Sequence, residues 1–244
     1  ESARLAEAVT IWLESQLPPL APLRAIEVAS HDPAAGLEVR ALLLTLAAHG
    51  GAVPREAAGL IHLPKDKRPL LRRLGVSIGS LDVFVPALLK PAPRRLLHAL
   101  GVDPRPLRDG MEAVIEAARE LPAGYRRAGR QAIRLDMAEK LLRAAHDQRP
   151  PVAGQKGWRG FTVDGALATS MGLLPDNFRA LMQAACFRLG QIQCLPECMF
   201  GPPRPLLWSW RPPRKDQPVA APTRATRAKP ARGNNSTAAP QPAP

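Results

Sequence analysis

Apolar residues recur every three or four positions through most of the chain up to residue 149, which predicts helices rather than strands. Leu5, Val9, Trp12 and Leu13 make one amphipathic helix over 3–17, stopped by Pro18 and Pro19. Residues 20–36, broken by Pro22 and Pro33, read as a connector. Leu37, Ala41, Leu44 and Ala48 repeat the helical pattern before Gly50 and Gly51 end it. Pro54 suits the first turn of a short helix reaching Leu63, and Asp66 suits the cap of another that carries Leu70, Leu71 and Leu74. Further helices are predicted over 93–100 and over 107–120, the second burying Met111, Val114, Ile115 and Ala118. A last long helix over 133–146 carries Leu135, Ala138, Leu141, Leu142 and Ala145 inside, with Asp136 and Glu139 early and Arg143 late to suit the helix dipole. Only over 76–85 does the period change to two: Val76 and Ile78, then Leu81, Val83 and Val85, around Gly79 and Ser80, predict a small β-hairpin.

The polar stretch 150–160 reads as a linker, and 161–210 as a small helical module. Ala168, Gly172 and Phe178 have the spacing of a helix-turn-helix, and Pro175 with Asp176 suits the start of its second helix. Trp208 and Trp210 flank Ser209; they either stack on bases or pin the end of the folded part onto its core. Eleven prolines in the last 44 residues predict a disordered, basic, Pro/Ala-rich tail over 211–244. The fold class that results is mostly α: a helical domain over 1–149 with one hairpin, a linker, a small helical module and a tail.

Composition agrees, because only 4% of residues are aromatic and a core of Leu, Ala, Val and Ile favours helices. Net charge is +13, with eight Lys and Arg against one acid beyond Gly201. Such a balance suits a polyanion such as RNA or DNA, although an Arg-, Ala- and Pro-rich composition also follows from a GC-rich genome. The basic residues cluster. Lys65, Lys67, Arg68, Arg72 and Arg73 precede the hairpin; Lys90, Arg94 and Arg95 follow it; Arg126, Arg127, Arg130 and Arg134 open the last long helical segment. Gathered by the fold they line one nucleic-acid groove; left apart they are solvated helix faces whose Arg stems cover Leu.

Other classes of chemistry find little support. No G-x-x-x-x-G-K-[ST] loop occurs, so the chain by itself is not expected to hydrolyse ATP. Neither an apolar run of about eighteen residues nor a signal-like start is present, so a soluble protein is expected. Cys186, Cys194 and Cys198 are an odd count, which suits a reducing cytoplasm. Their spacing admits zinc but lacks a fourth ligand, and incidental thiols are the other reading. His31, His49, His62, His98 and His146 are scattered, none beside a Ser, Cys or carboxylate in a catalytic spacing.

Two segments carry a resemblance: GVSIGSLDVFVPALLKP over 75–91 and YRRAGRQAIRLDMAEKLLRAAHDQ over 125–148. In that order, after a Leu-rich helix pair and before a short S-M-G-L module, they resemble the C-terminal region of bacterial superfamily 2 ATP-dependent helicases related to the mitochondrial degradosome RNA helicase. The likeness runs from about Leu5 to Trp210. Where that family shows Gly-aromatic-Arg after the last helix, this chain has Cys186-Phe187-Arg188. The resemblance implies a non-catalytic helical accessory region that guides single-stranded RNA or DNA beside RecA-like motor domains of the same parent chain. ATP and Mg belong to those motor domains, and no cofactor is expected in this part. Phosphate contacts from Arg and Lys would carry the affinity. Two other readings stand beside it. One is a helical docking module for the motor or a partner nuclease, without nucleic-acid contact. The other is a helix-turn-helix DNA regulator reading with 176–186, where Arg179 is the one basic contact.

Overall fold

Three helices lead the chain: α1 (Ser2–Gln16), α2 (Ala21–His31) and α3 (Leu37–Ala48). They belong to a computed structural model that describes residues 2–59, 63–108, 110–150, 160–190 and 205–211. Residues 151–159 of the linker expected at 150–160, the expected tail beyond 211, and Cys194 and Cys198 lie outside the described residues. α2 falls where a connector was expected, because Pro22 sits in its first turn, where a missing N–H breaks no helical hydrogen bond. α3 buries Val39, Leu42, Leu43 and Leu46, and ends in two backbone bonds, Gly51 N to Leu46 O at 2.7 Å and Gly50 N to Ala47 O at 3.3 Å. Both need the positive φ of Gly50, +63°. α1 is a helix as expected but buries nothing; Leu5 is 68% exposed and Trp12 60%.

The expected hairpin at 76–85 is present as β2 (Ser77–Ile78) and β3 (Asp82–Phe84). A further strand, β1 (Ala52–Pro54), pairs with the other side of β3, giving an antiparallel sheet of order β1-β3-β2. The helix expected from Pro54 is therefore replaced by the end of a strand and a series of turns over 55–59. α4 (Arg68–Arg73) has Pro69 in its first turn and no side-chain cap from Asp66. α5 (Pro91–Ala99) follows the sheet. Ile26, Leu43, Leu46, Leu71, Val83, Leu88 and Leu97 form the centre of this half's core.

The sequence expectation fails most clearly between 107 and 134. No helix forms over 107–120; β4 (Val114–Glu116) is a strand, Ile115 is buried and Met111 is exposed. Nor does a helix open at Tyr125. β5 (Tyr125–Ala128) and β6 (Gln131–Arg134) form a hairpin, closed by a two-residue loop in which Gly129 has φ +60°, and β6 is central in the order β4-β6-β5. Spacing misled here because Val114 and Ile115 fit both periods, and the Arg/Ala-rich hairpin has helix-forming residues with only Gly129 to mark its turn. The mostly-α expectation therefore holds in part: the described chain is about half helical, with three small antiparallel sheets.

α6 (Leu135–Asp147) is the long helix expected, and its buried face joins a second core. The partners come from beyond 160: β7 (Phe161–Thr162), α7 (Ala166–Ser170), α8 (Pro175–Ala184), β8 (Phe187–Leu189) and β9 (Leu207–Trp210). α7 and α8 are joined by a short turn at Gly172, and the strands flanking them make a third sheet, β7-β9-β8. Trp208 is buried in that core, and Trp210 Nε1 donates to Ala185 O at 3.1 Å, so both indoles hold the last strand in place.

Two stability predictions arise from this second core. His146 of α6 lies 4.8 Å from the Phe187 ring and 5.3 Å from the Trp210 ring, and its Nδ1 is buried without a hydrogen-bond partner. Burial, with Arg149 adding to it, lowers the imidazole pKa below its ordinary 6.5. The unfolded chain therefore binds the extra proton first, and stability is complete above pH 6.5 and lost as the pH falls from there toward the native value. The melting temperature should accordingly drop between pH 7 and pH 5, by less in His146→Leu than in the parent. Cys186, at the end of α8, has φ +66°, a left-handed conformation that an L side chain adopts at a cost. Cys186→Gly should raise stability by about 1 kcal/mol in urea unfolding.

Candidate nucleic-acid interface

The turn between β2 and β3 leaves no room for a side chain at Gly79, where a Cβ would collide with the carboxylate of Glu139 from α6. That carboxylate is buried and accepts three consecutive backbone N–H groups: Ser80 at 2.5 Å, Leu81 at 2.7 Å and Asp82 at 3.2 Å. Such a run of amides forms a concave anion seat. Arg126 of β5 grips the same turn. Its Nε donates to Asp82 Oδ2 at 2.6 Å, and its Nη2 to Asp82 Oδ1 and Leu81 O, both at 3.1 Å. Burial pushes the Asp82 carboxyl upward, and Arg126 works against that rise. The segments 75–91 and 125–148 are thus bonded to one another through Glu139 and Arg126.

Arg55 hangs from this turn as well, with its N donating to Leu81 O at 2.9 Å and its Nη1 to Gly79 O at 2.5 Å. Arg143 follows Glu139 by four residues, one turn further along α6. Arg68 and Arg72 have the same relation on α4. These four arginines line one cleft of about 470 Å³, whose wall is completed by Gly75, Val76, Ser77 and Ile78. Among the described residues no carboxylate lines it. The guanidinium groups of Arg68, Arg72 and Arg143 make no hydrogen bond or ion pair among the described residues. Four uncompensated like charges in one cleft repel until an anion bridges them.

Of the twelve basic residues expected at the interface, the fold brings Arg68 and Arg72 into the cleft. Lys65, Arg73, Lys90, Arg95 and Arg130 are exposed elsewhere. Lys67 Nζ donates to Ala34 O at 3.2 Å, and Arg127 Nη2 to Ala118 O at 2.6 Å. Three expectations need correcting. Arg94 is buried, 5% exposed, with Nη1 on Asp103 Oδ2 at 2.7 Å, and desolvation lowers its pKa to about 10. Arg126 is committed to Asp82, and Arg134 to Asp136 at 2.6 Å. These three hold the fold rather than face a ligand. Arg55 and Arg143 were missed, because nothing in their spacing links residue 55 to residue 143. The one available signal was Glu139, an acid set among Leu135, Ala138 and Leu142 on the apolar face of its helix.

No family model, curated protein or solved structure significantly matches the chain. Among the described residues no three of His, Cys, Asp or Glu gather as a metal site, and no helix is long and apolar enough to cross a membrane.

Proposed function

We propose that this chain is the non-catalytic accessory region of a cytoplasmic ATP-dependent RNA or DNA helicase, and that it grips single-stranded nucleic acid beside the RecA-like motor of its parent. The observation that carries this reading is a cleft that, among the described residues, gathers four arginines and no carboxylate. Phosphate is the anion such a site suits, since guanidinium forks match its oxygens in pairs. The two segments that bear the helicase resemblance contribute to this cleft: 75–78 supply its wall and α6 supplies Arg143, while Arg55, Arg68 and Arg72 come from outside both segments. In this reading the motor uses ATP and Mg, and the accessory region contributes hold on the strand without regard to base sequence.

A salt titration tests it. Four phosphate contacts to a single strand give a slope of about −3 for log affinity against log salt. A labelled 20-mer should bind at low salt and show that slope; absence of binding, or a flat slope, would discard the proposal.

The docking-module reading is favoured by one observation, the exposed apolar stripe of α1 with Leu5, Val9, Trp12 and Leu13. A polypeptide partner, either the motor or a nuclease, would cover that stripe. Under this reading, substitutions in the arginine cleft leave partner association intact and no strand is bound.

A further inference from the structure

We propose that the arginine cleft takes the terminal phosphate of a single strand of RNA or DNA in preference to an interior phosphodiester. This rests on the nucleic-acid reading above and names the part of the strand that the site recognises. The first argument is charge. Among the described residues the cleft presents four guanidiniums and no carboxylate. An interior phosphodiester brings one negative charge, whereas a terminal phosphate brings about −1.5 to −2 at neutral pH. A volume of about 470 Å³ lies in the lower part of the range for small-ligand sites, so few phosphate groups can enter together. A single interior phosphate seated among the four forks would leave most of the positive charge unmatched.

The second argument is the count of acceptors. A phosphodiester offers two non-bridging oxygens, and a terminal phosphate three. Each guanidinium offers a fork of paired N–H groups, so converging forks find more partners on the terminal group. Residue type points the same way. All four cations are Arg and none is Lys, although Lys65 and Lys67 lie just before Arg68. Rigid forks suit recognition of a phosphate's shape, whereas flexible ammonium groups suit loose tracking along a backbone. The site is also held in place in advance: Arg55 is tied to Gly79 O, and Arg143 stands on the helix that Glu139 anchors to the same turn. Ser77, in the wall, makes no side-chain hydrogen bond among the described residues, and its hydroxyl can donate to a phosphate oxygen.

The experiment is a fluorescence-anisotropy comparison on the full chain, with internally labelled 12-mers of RNA and DNA. Each is prepared with a 5′-phosphate, with a 3′-phosphate, with hydroxyls at both ends, and as a closed circle. One phosphorylated end should bind at least about tenfold tighter than the hydroxyl-ended strand and the circle. Arg72→Gln with Arg143→Gln should erase that preference, and Arg179→Gln, which removes an exposed pair with Asp176, should keep it. Equal affinities for all four forms, with a salt slope of about −3, would overturn the terminal-phosphate proposal and leave the nucleic-acid reading standing. No binding of any strand would overturn both. Inorganic phosphate displacing the phosphorylated strand as readily as an unlabelled copy of that strand does would show a site for free phosphate, and would also overturn it.

Discussion

Glu139→Ala is expected to lower the stability of the fold by about 3 kcal/mol, because three backbone amides lose their only charged acceptor at once. The substitution leaves the amides of Ser80, Leu81 and Asp82 without an acceptor, and each buried N–H left unmatched costs about 1–3 kcal/mol. Partial relaxation of the turn toward water keeps the sum from being fully additive. Gly79→Ala should be damaging through the same contact from the other side, because its methyl group has to displace the Glu139 carboxylate. Glu139→Gln retains one acceptor oxygen and should fall between Ala and the parent. Urea unfolding followed by far-ultraviolet circular dichroism measures all three; a Glu139→Ala midpoint equal to the parent's would show that the turn does not depend on this carboxylate.

The second large effect concerns binding. Arg72→Glu with Arg143→Glu should weaken single-strand affinity by about 100-fold or more at low salt, since each hydrogen bond from a charged group is worth about 1.5–3 kcal/mol. The salt slope should shrink by about 0.7 for each phosphate that is no longer neutralised. Both side chains are exposed, so stability should stay within about 0.5 kcal/mol of the parent. That separation of binding from stability distinguishes a ligand site from a structural patch. Unchanged affinity in the double variant would move the grip elsewhere, and retained association with a protein partner alongside no strand binding would favour the docking module.

Helices with a long apolar stripe were legible in the sequence. α3 and α6 appear nearly where the spacing of Leu and Ala predicts them, and the hairpin of β2 and β3 follows the switch to a period of two. Short strands were not. β4, β5 and β7 have two to four residues each, too few to establish a period, and their partners lie on strands distant or disguised in composition. Proline was read too strictly: Pro22 opens α2 instead of breaking it, and Pro54 ends a strand instead of starting a helix. The cleft was half legible. Arg68 and Arg72 announce themselves as a basic run, but Arg55 reaches them only because its backbone is tied to Leu81, and Arg143 only because α6 docks on that turn. Local basic density gives no hint of which arginines a carboxylate will claim, and so Arg94, Arg126 and Arg134, expected in the nucleic-acid groove, are held instead by Asp103, Asp82 and Asp136.

Glu139 and Arg143 share one helix, a single turn apart. Tension on a strand seated among the arginines would therefore pass straight into the backbone of α6, whose buried face is rooted in the second core, and not into a loop that can stretch. The same carboxylate ties that helix to the turn on which Arg55 is hydrogen-bonded, so Arg55 and Arg143 would bear such a load together.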